Sequence, residues 1–94
     1  MEFKHINTDH SGSIEVFIEE KKAGEINYIW ENDNTIAVTH TGVNPQYEGQ
    51  GIGKELVLQI AEYAQINHLK IIPICPYVSV VLNRIPEYKD LIIR

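Results

Sequence analysis

The sequence predicts an α+β domain: an antiparallel meander of strands, then a β-α-β unit, then a C-terminal helix, all around one mixed sheet. Two observations carry this. Apolar residues alternate with polar ones in several runs before residue 44, which is strand patterning. From Gly51 to Asn67 the period changes to 3.6, with Ile52, Leu56, Ile60 and Ala64 on one stripe and Val57 and Ala61 beside it, and Asn67-His68 ends the helix. Where the patterns meet, Gly49, Gly51 and Gly53 stand at alternate positions in Val43-Asn-Pro-Gln-Tyr-Glu-Gly-Gln-Gly-Ile-Gly-Lys54.

Met1 to Ile6 reads as a short first strand. Asn7 to Gly12 is turn chemistry. Ser13 to Glu19 alternates, with Ile14, Val16 and Ile18 on one side. Glu20 to Gly24 reads as the hairpin connection. Glu25 to Trp30 then puts Ile26, Tyr28 and Trp30 on one face. Glu31 to Asn34 is a polar turn, and Thr35 to Val43 is the third clear strand. After the helix, Leu69 to Cys75 reads as a buried strand parallel to the one before it, because a crossover helix joins them. Pro73 and Pro76 take it out of the sheet early. Tyr77 to Ile85 is a short amphipathic helix. Pro86 to Asp90 is a further turn, and Leu91 to Ile93 is an apolar tail.

The bulk numbers exclude several classes. Ninety-four residues (1–94) make one domain. A chain this short buries only about 60–65% of its unfolded surface, so stability is modest. A net charge of −5 argues against nucleic acid as a partner, since that affinity rests on Lys and Arg. No apolar run approaches the ~18 residues of a membrane span. The first residues, Met-Glu-Phe-Lys-His, lack the pattern of a signal peptide. The single cysteine, Cys75, forms no internal disulfide, and a reducing cytoplasm is the expected compartment. His5, His10 and His68 show no metal spacing, so no metal is expected.

The glycine seam carries a physical use. The first turn of a helix has N–H groups without partners inside the helix, and their dipole favours an anion. Glycine admits positive φ and close approach of the backbone. Strand, glycine loop and helix start therefore read as a phosphate cradle; the alternative is a turn that merely needs flexible residues. It is not a P-loop: Glu55 follows Lys54 where Ser or Thr is required, and Glu48 stands at the first glycine position. Nor does its spacing fit the dinucleotide fingerprint, and antiparallel strands precede it.

The run Val43-x-Pro-x-Tyr47-x-Gly49-Gln50-Gly51-Ile52-Gly53-Lys54-x-Leu56 resembles the acetyl-CoA motif of the GNAT superfamily of acyl-CoA-dependent N-acyltransferases. His40-Thr41 before the loop and Cys75-Pro76-Tyr77 after the next strand resemble a short single-domain branch of it. The resemblance implies acetyl-CoA or coenzyme A as the cofactor. It implies that the backbone from Gly49 through Gln50, Gly51, Ile52, Gly53 and Lys54 holds the diphosphate. The strand at Thr41 to Val43 would pair with the pantetheine amides, in a slot where the two parallel strands splay. The chain departs from the family at Glu48, where the motif has Arg or Gln, and at Ala37, where many members carry a glutamate base. The helices between the first two strands and the last strands of larger members are absent.

Acyl transfer to an amine needs a base, an oxyanion donor and an acid for the leaving thiolate. His40 is the base by type; sharing a face with Ile36 and Val38, it also reads as a structural core histidine. Cys75 reads as an acyl-accepting nucleophile, its pKa lowered by His40, or as a small buried hydrophobe. Tyr77 is an acid or a wall of the slot. Lys54 reaches a phosphate or is solvated. The implied activity is acyl transfer from acetyl-CoA to a small amine or a protein amine, by a monomer or weak dimer. The alternative is a non-catalytic acyl-CoA-binding module, and a third reading is an interaction domain with a vestigial loop.

Overall fold

The computed structural model describes residues 1–93. Five strands form one sheet in the order β1-β2-β3-β4-β5. These are β1 (Glu2–Asn7), β2 (Ser11–Ile18), β3 (Lys21–Asn32), β4 (Thr35–Val43) and β5 (Lys70–Pro73). The first four are antiparallel, and β5 runs parallel to β4. Helix α1 (Ile52–Ile66) links β4 to β5, and α2 (Pro76–Asn83) follows. A short 3₁₀ turn, Pro45–Tyr47, leads toward α1, and another, Pro86–Leu91, follows α2.

Both helices pack on one face of the sheet. The stripe Ile52, Leu56, Val57, Ile60, Ala61 and Ala64 is buried against Ile14, Val16, Ile26, Ile36, Val38 and Ile71. From α2, Val78, Val81 and Leu82 join the same cluster. Each Val, Leu or Ile among them contributes roughly 1.5–3 kcal/mol when fully buried, and the two alanines less. α1 stops at Asn67, whose side chain donates to the Tyr63 carbonyl at 2.9 Å. His68 then takes a left-handed φ of 57°, and the Leu69 N–H returns to the Ala64 carbonyl at 2.8 Å. That closes the helix in the manner of a C-terminal cap. Among the described residues no helix covers the sheet's other face, and Ile29 and Ile6 are exposed there.

Three local features differ from the sequence expectation. The hairpin between β2 and β3 is a two-residue turn, Glu19-Glu20, with φ of 49° and 71°. Positive φ at both central positions matches strand twist, and here glutamates bear the strain. Residues 21–24 therefore belong to the strand, with a bulge at Ala23. Gly24 is not a turn glycine: a Cβ there would meet the Gly42 carbonyl oxygen at 2.7 Å. The apolar tail docks on the sheet. Leu91 is buried, Ile92 bridges to Ile71, and the Ile93 N–H donates to the Ile71 carbonyl at 2.9 Å.

The third difference is a bulge in β4. Val38 lies opposite Tyr28, but His40 lies opposite Asn27, leaving Thr39 as the extra residue. A bulge bends a strand and re-aims the side chains after it. Strict alternation would put His40 beside Ile36 and Val38. Instead Thr41, opposite the buried Ile26, takes the helix-covered face, and His40 turns to the bare one.

Candidate functional site

The ladder between β4 and β5 ends at Val38 and Pro73. One more bond follows, from the Cys75 N–H to the Val38 carbonyl at 3.0 Å. β4 runs on to Val43, paired on its β3 side alone among the described residues. The strands thus part where Pro73 and Pro76 remove ladder donors. The edge of residues 39–43 keeps backbone polar groups without a sheet partner.

Beside this gap stands the head of α1. Gly51 is its N-cap, in the left-handed region at φ 77°, and no side chain caps the helix. Gly49 is left-handed as well, at φ 80°. A Cβ at Gly49 or Gly51 would meet nothing within 4 Å, so glycine is required there for its dihedral and not for space. Gly53 differs: a Cβ there would lie 3.2 Å from the Tyr77 ring, so this glycine lets α2 close on α1. The first intrahelical bond runs from the Glu55 N–H to the Gly51 carbonyl at 3.1 Å, leaving the amides of Ile52, Gly53 and Lys54 free to donate.

A groove of about 270 Å³ lies against this helix head. Thr41 and Val43 form its strand wall, Gly49, Gly51, Ile52 and Gly53 its loop wall, and Tyr77 a third side. Tyr47 and Glu48 also line it. Tyr47 was not singled out from the sequence as a site residue; Glu48, which stands where the motif has Arg or Gln and is expected to point away from the diphosphate, is part of the groove wall. The signal for Tyr47 was its place in the motif. Gln50 and Lys54 are exposed, and Lys54 lines a neighbouring groove that shares Tyr77 with this one.

Cys75 is the N-cap of α2, with Pro76 at the first helical position. Its thiol donates to the Thr41 hydroxyl at 3.7 Å. Burial pushes this thiol up. The Val78 and Tyr77 backbone amides at the helix head, with the Thr41 hydroxyl and amide, outweigh that and hold it below its ordinary value. A helix N-terminus acts on a thiol in this direction.

His40 is not brought to Cys75. It sits on the bare face in a separate groove of about 310 Å³, with Lys22, Glu25 and Gly42. There Lys22 bonds Glu15 at 2.8 Å and also bonds Glu25. The Glu25 carboxyl is held below its usual value chiefly by that Lys22 bond, then by Asn27 and the nearby His40, against a smaller effect of burial. The thiol's electrostatic surroundings are therefore α2 and Thr41, and the pairing of Cys75 with His40 expected from their order in the chain is replaced by this one.

The far end of the sheet is built differently. Tyr28 is buried across Gly12, and its hydroxyl bonds His5 Nε2 at 2.6 Å and Asn7 Oδ1 at 3.1 Å. Trp30 Nε1 donates to the same Asn7 oxygen at 2.9 Å. The His5 ring stands edge-on to Tyr63, 4.4 Å between centroids. So His5 has a structural place. Among the described residues no group of three His, Cys, Asp or Glu is arranged for a metal, and no helix is long and apolar enough to cross a membrane.

A mixed sheet that opens between two parallel strands, with a bare helix head at the opening, defines a class of fold. The comparisons place the chain within it. A family model described as GCN5-related N-acetyl-transferase matches residues 13–91, and the chain belongs to that family. A GCN5-like protein from Staphylococcus aureus, solved by NMR, shares 31% identity at a TM-score of 0.68, over 96% of this chain and 87% of that one. Larger structures share the fold at lower identity. Ribosomal-protein-alanine N-acetyltransferase from Brucella melitensis has TM-score 0.63 and 16% identity, over 83% of this chain and 62% of that one. A streptothricin acetyltransferase-like protein from Bacillus anthracis, solved with acetyl coenzyme A, has TM-score 0.60 and 20% identity, over 71% of this chain and 39% of that one. The chain thus spans 62% of one of those larger proteins and 39% of the other. No curated protein matches the sequence.

Proposed function

We propose that this chain is a minimal acyl-CoA-dependent N-acyltransferase with acetyl-CoA as donor. The observation that supports it best is the uncapped head of α1 standing beside the gap between β4 and β5. The residues present fit the ligand: two glycines hold left-handed turns, the first-turn amides lack partners, and the groove beside them is open. The amides of residues 51–54 would bind the diphosphate, and the free edge at Thr41 to Val43 would bond the pantetheine amides as an added strand would. Bound there, acyl-CoA supplies an activated thioester.

Cys75 is the nucleophile in this reading. Its sulfur attacks the thioester carbon, the new S–C bond forms, and the CoA thiolate leaves. The α2 head and Thr41 favour the thiolate that attacks. Tyr77, on the same groove, walls the thiol arm and carries a hydroxyl that would protonate the leaving sulfur. The acceptor amine, once deprotonated, attacks the acyl carbon. The N–C bond forms as the Cys75 S–C bond breaks, and the amine's second proton returns the sulfur to its starting state or is released to solvent. His40 lies in a separate groove on the other face with Glu25 and serves as base only for an amine that enters from that face. A small amine or a protein amine is the acceptor. The bare sheet face favours the alternative of a non-catalytic acyl-CoA-binding module, because no wall encloses an acceptor there.

Melting with and without CoA tests the shared step. A ligand that binds only the folded state adds about 2.7 kcal/mol at a hundredfold excess over Kd. No rise would remove both readings. Release of free thiol from acetyl-CoA with a panel of amines separates them, and only the enzyme gives turnover. Trapping acyl-Cys75 by mass spectrometry supports the two-step route, while full activity in Cys75→Ser would end it.

A further inference from the structure

The two edges of the sheet are finished differently. β5 is short, ends at Pro73 and is flanked by the tail, where Ile92 bridges to Ile71 and the Ile93 N–H bonds the Ile71 carbonyl. β1 is the other edge, and among the described residues β2 is its only sheet partner. β1 contains no proline, and its register with β2 runs from Glu2 opposite Phe17 to Asn7 opposite Gly12 without a bulge. Proline, a bulge, a covering segment and charge are the devices that close an edge to another strand. Only charge is present on β1, and its signs alternate in a way that admits a copy of the same strand.

The odd-numbered residues of β1 face the helices: Phe3 packs against the core and the His5 ring stands against Tyr63. Glu2 and Lys4 are exposed on the bare face and form no ion pair among the described residues. Glu15, which lies opposite Lys4, already bonds Lys22 at 2.8 Å. When a strand pairs antiparallel with its own copy about a two-fold axis, residues directly opposite share a face. Centred on Phe3, the pair sets Glu2 of each copy opposite Lys4 of the other, Phe3 against Phe3, and Met1 against His5. Centred on Glu2 or on Lys4, it sets like charges together. Centred on His5, it leaves Glu2 without an opposite charge. Beside this edge lies a groove of about 270 Å³, lined in part by Phe3, His5, Ile14, Tyr63 and Ile66. Ile66 is 67% and Met1 61% exposed, so apolar area is available next to the paired backbones.

We propose that β1 pairs with β1 of a second copy of this chain, antiparallel about Phe3, so that two sheets become one continuous sheet. The gap between β4 and β5 lies at the far edge and stays open in both copies. The pairing is therefore independent of the acyl-CoA reading.

Sedimentation equilibrium of the full chain over a range of concentrations tests this. An edge this short makes a small interface, so a weak monomer–dimer equilibrium is expected. Lys4→Glu turns both cross-strand attractions into repulsions and is expected to raise the dissociation constant about tenfold. Glu2→Lys alone is expected to do the same. Glu2→Lys and Lys4→Glu together in one chain restore opposite charges across the pair, and the dissociation constant should return close to that of the unaltered chain. All the altered side chains are exposed, and melting temperatures show that the variants fold. An unaltered chain that stays monomeric at millimolar concentration overturns the proposal. A dimer that Lys4→Glu leaves unchanged also overturns it, because that dimer forms through another surface. A double variant that fails to recover the dimer overturns the register about Phe3, and the proposal with it.

Discussion

The two ends of the sheet treat their polar groups in opposite ways. Around Tyr28, the hydroxyl, the indole N–H, the Asn7 amide and the His5 ring satisfy one another, and glycine at residue 12 makes room for the ring. At the α1 head, backbone donors and a strand edge are left without partners, and glycines at 49 and 51 serve dihedrals in place of packing. A satisfied network contributes to stability. An unsatisfied one costs stability and keeps donors for a ligand. Substitutions at the first end should therefore read out in folding, and those at the second in binding.

The largest effect is expected from Gly12→Ala. A Cβ there would sit 2.3 Å from the Tyr28 ring, which is buried and has nowhere to move. Overpacking of this kind costs about 1–3 kcal/mol, and the upper end is expected in a urea titration. A change within error would show that the ring is not held as described. Gly51→Ala comes next. Its left-handed φ of 77° costs an alanine about 1–2 kcal/mol, and relief of that strain turns the helix-head amides aside. CoA affinity, measured by titration, should fall by more than the loss of stability alone explains. If affinity is unchanged, the amides of this turn are not the anion site.

Smaller effects divide the same way. Thr41→Val removes the hydroxyl that accepts from Cys75. The midpoint of alkylation of the thiol against pH should move upward, with the fold intact by circular dichroism. An unmoved midpoint would leave the backbone amides of Val78, Tyr77 and Thr41 as the cause. The smallest effect is expected at His5, whose pKa is lowered by burial. The folded state then disfavours the charged ring, so the unfolded chain binds more protons below the ordinary value of roughly 6.5. This contribution is complete above that value and lost as pH falls toward the folded pKa. His5→Gln should flatten that part of the pH–stability curve, and an unchanged slope would remove His5 as its source.

Much of this was legible in the chain. Alternation and the change to a period of 3.6 residues located β4 at Thr35–Val43 and α1 within a residue of each end. Pro73 marked where β5 stops. The glycine seam marked the helix head. What stayed hidden has a common cause, the dependence of side-chain direction on pairing. Nothing in Thr39-His-Thr-Gly42 reveals that Thr39 is an unpaired extra residue, yet that one residue sends His40 to the bare face and Thr41 to the thiol. The glutamates at 19 and 20 gave no sign of positive φ, since that turn is set by the strands around it. Lys54 and Arg84 lie thirty residues apart in the chain and share a groove only because Gly53 lets α2 close on α1.

A titration of ¹⁵N-labelled protein with CoA, followed by amide NMR shifts, goes most directly to the centre of this account. Saturating shifts are predicted at residues 49–54 and along residues 41–43, with the amides near Tyr28 and Asn7 unmoved. Saturation that moves other amides and leaves the α1 head unchanged would contradict it.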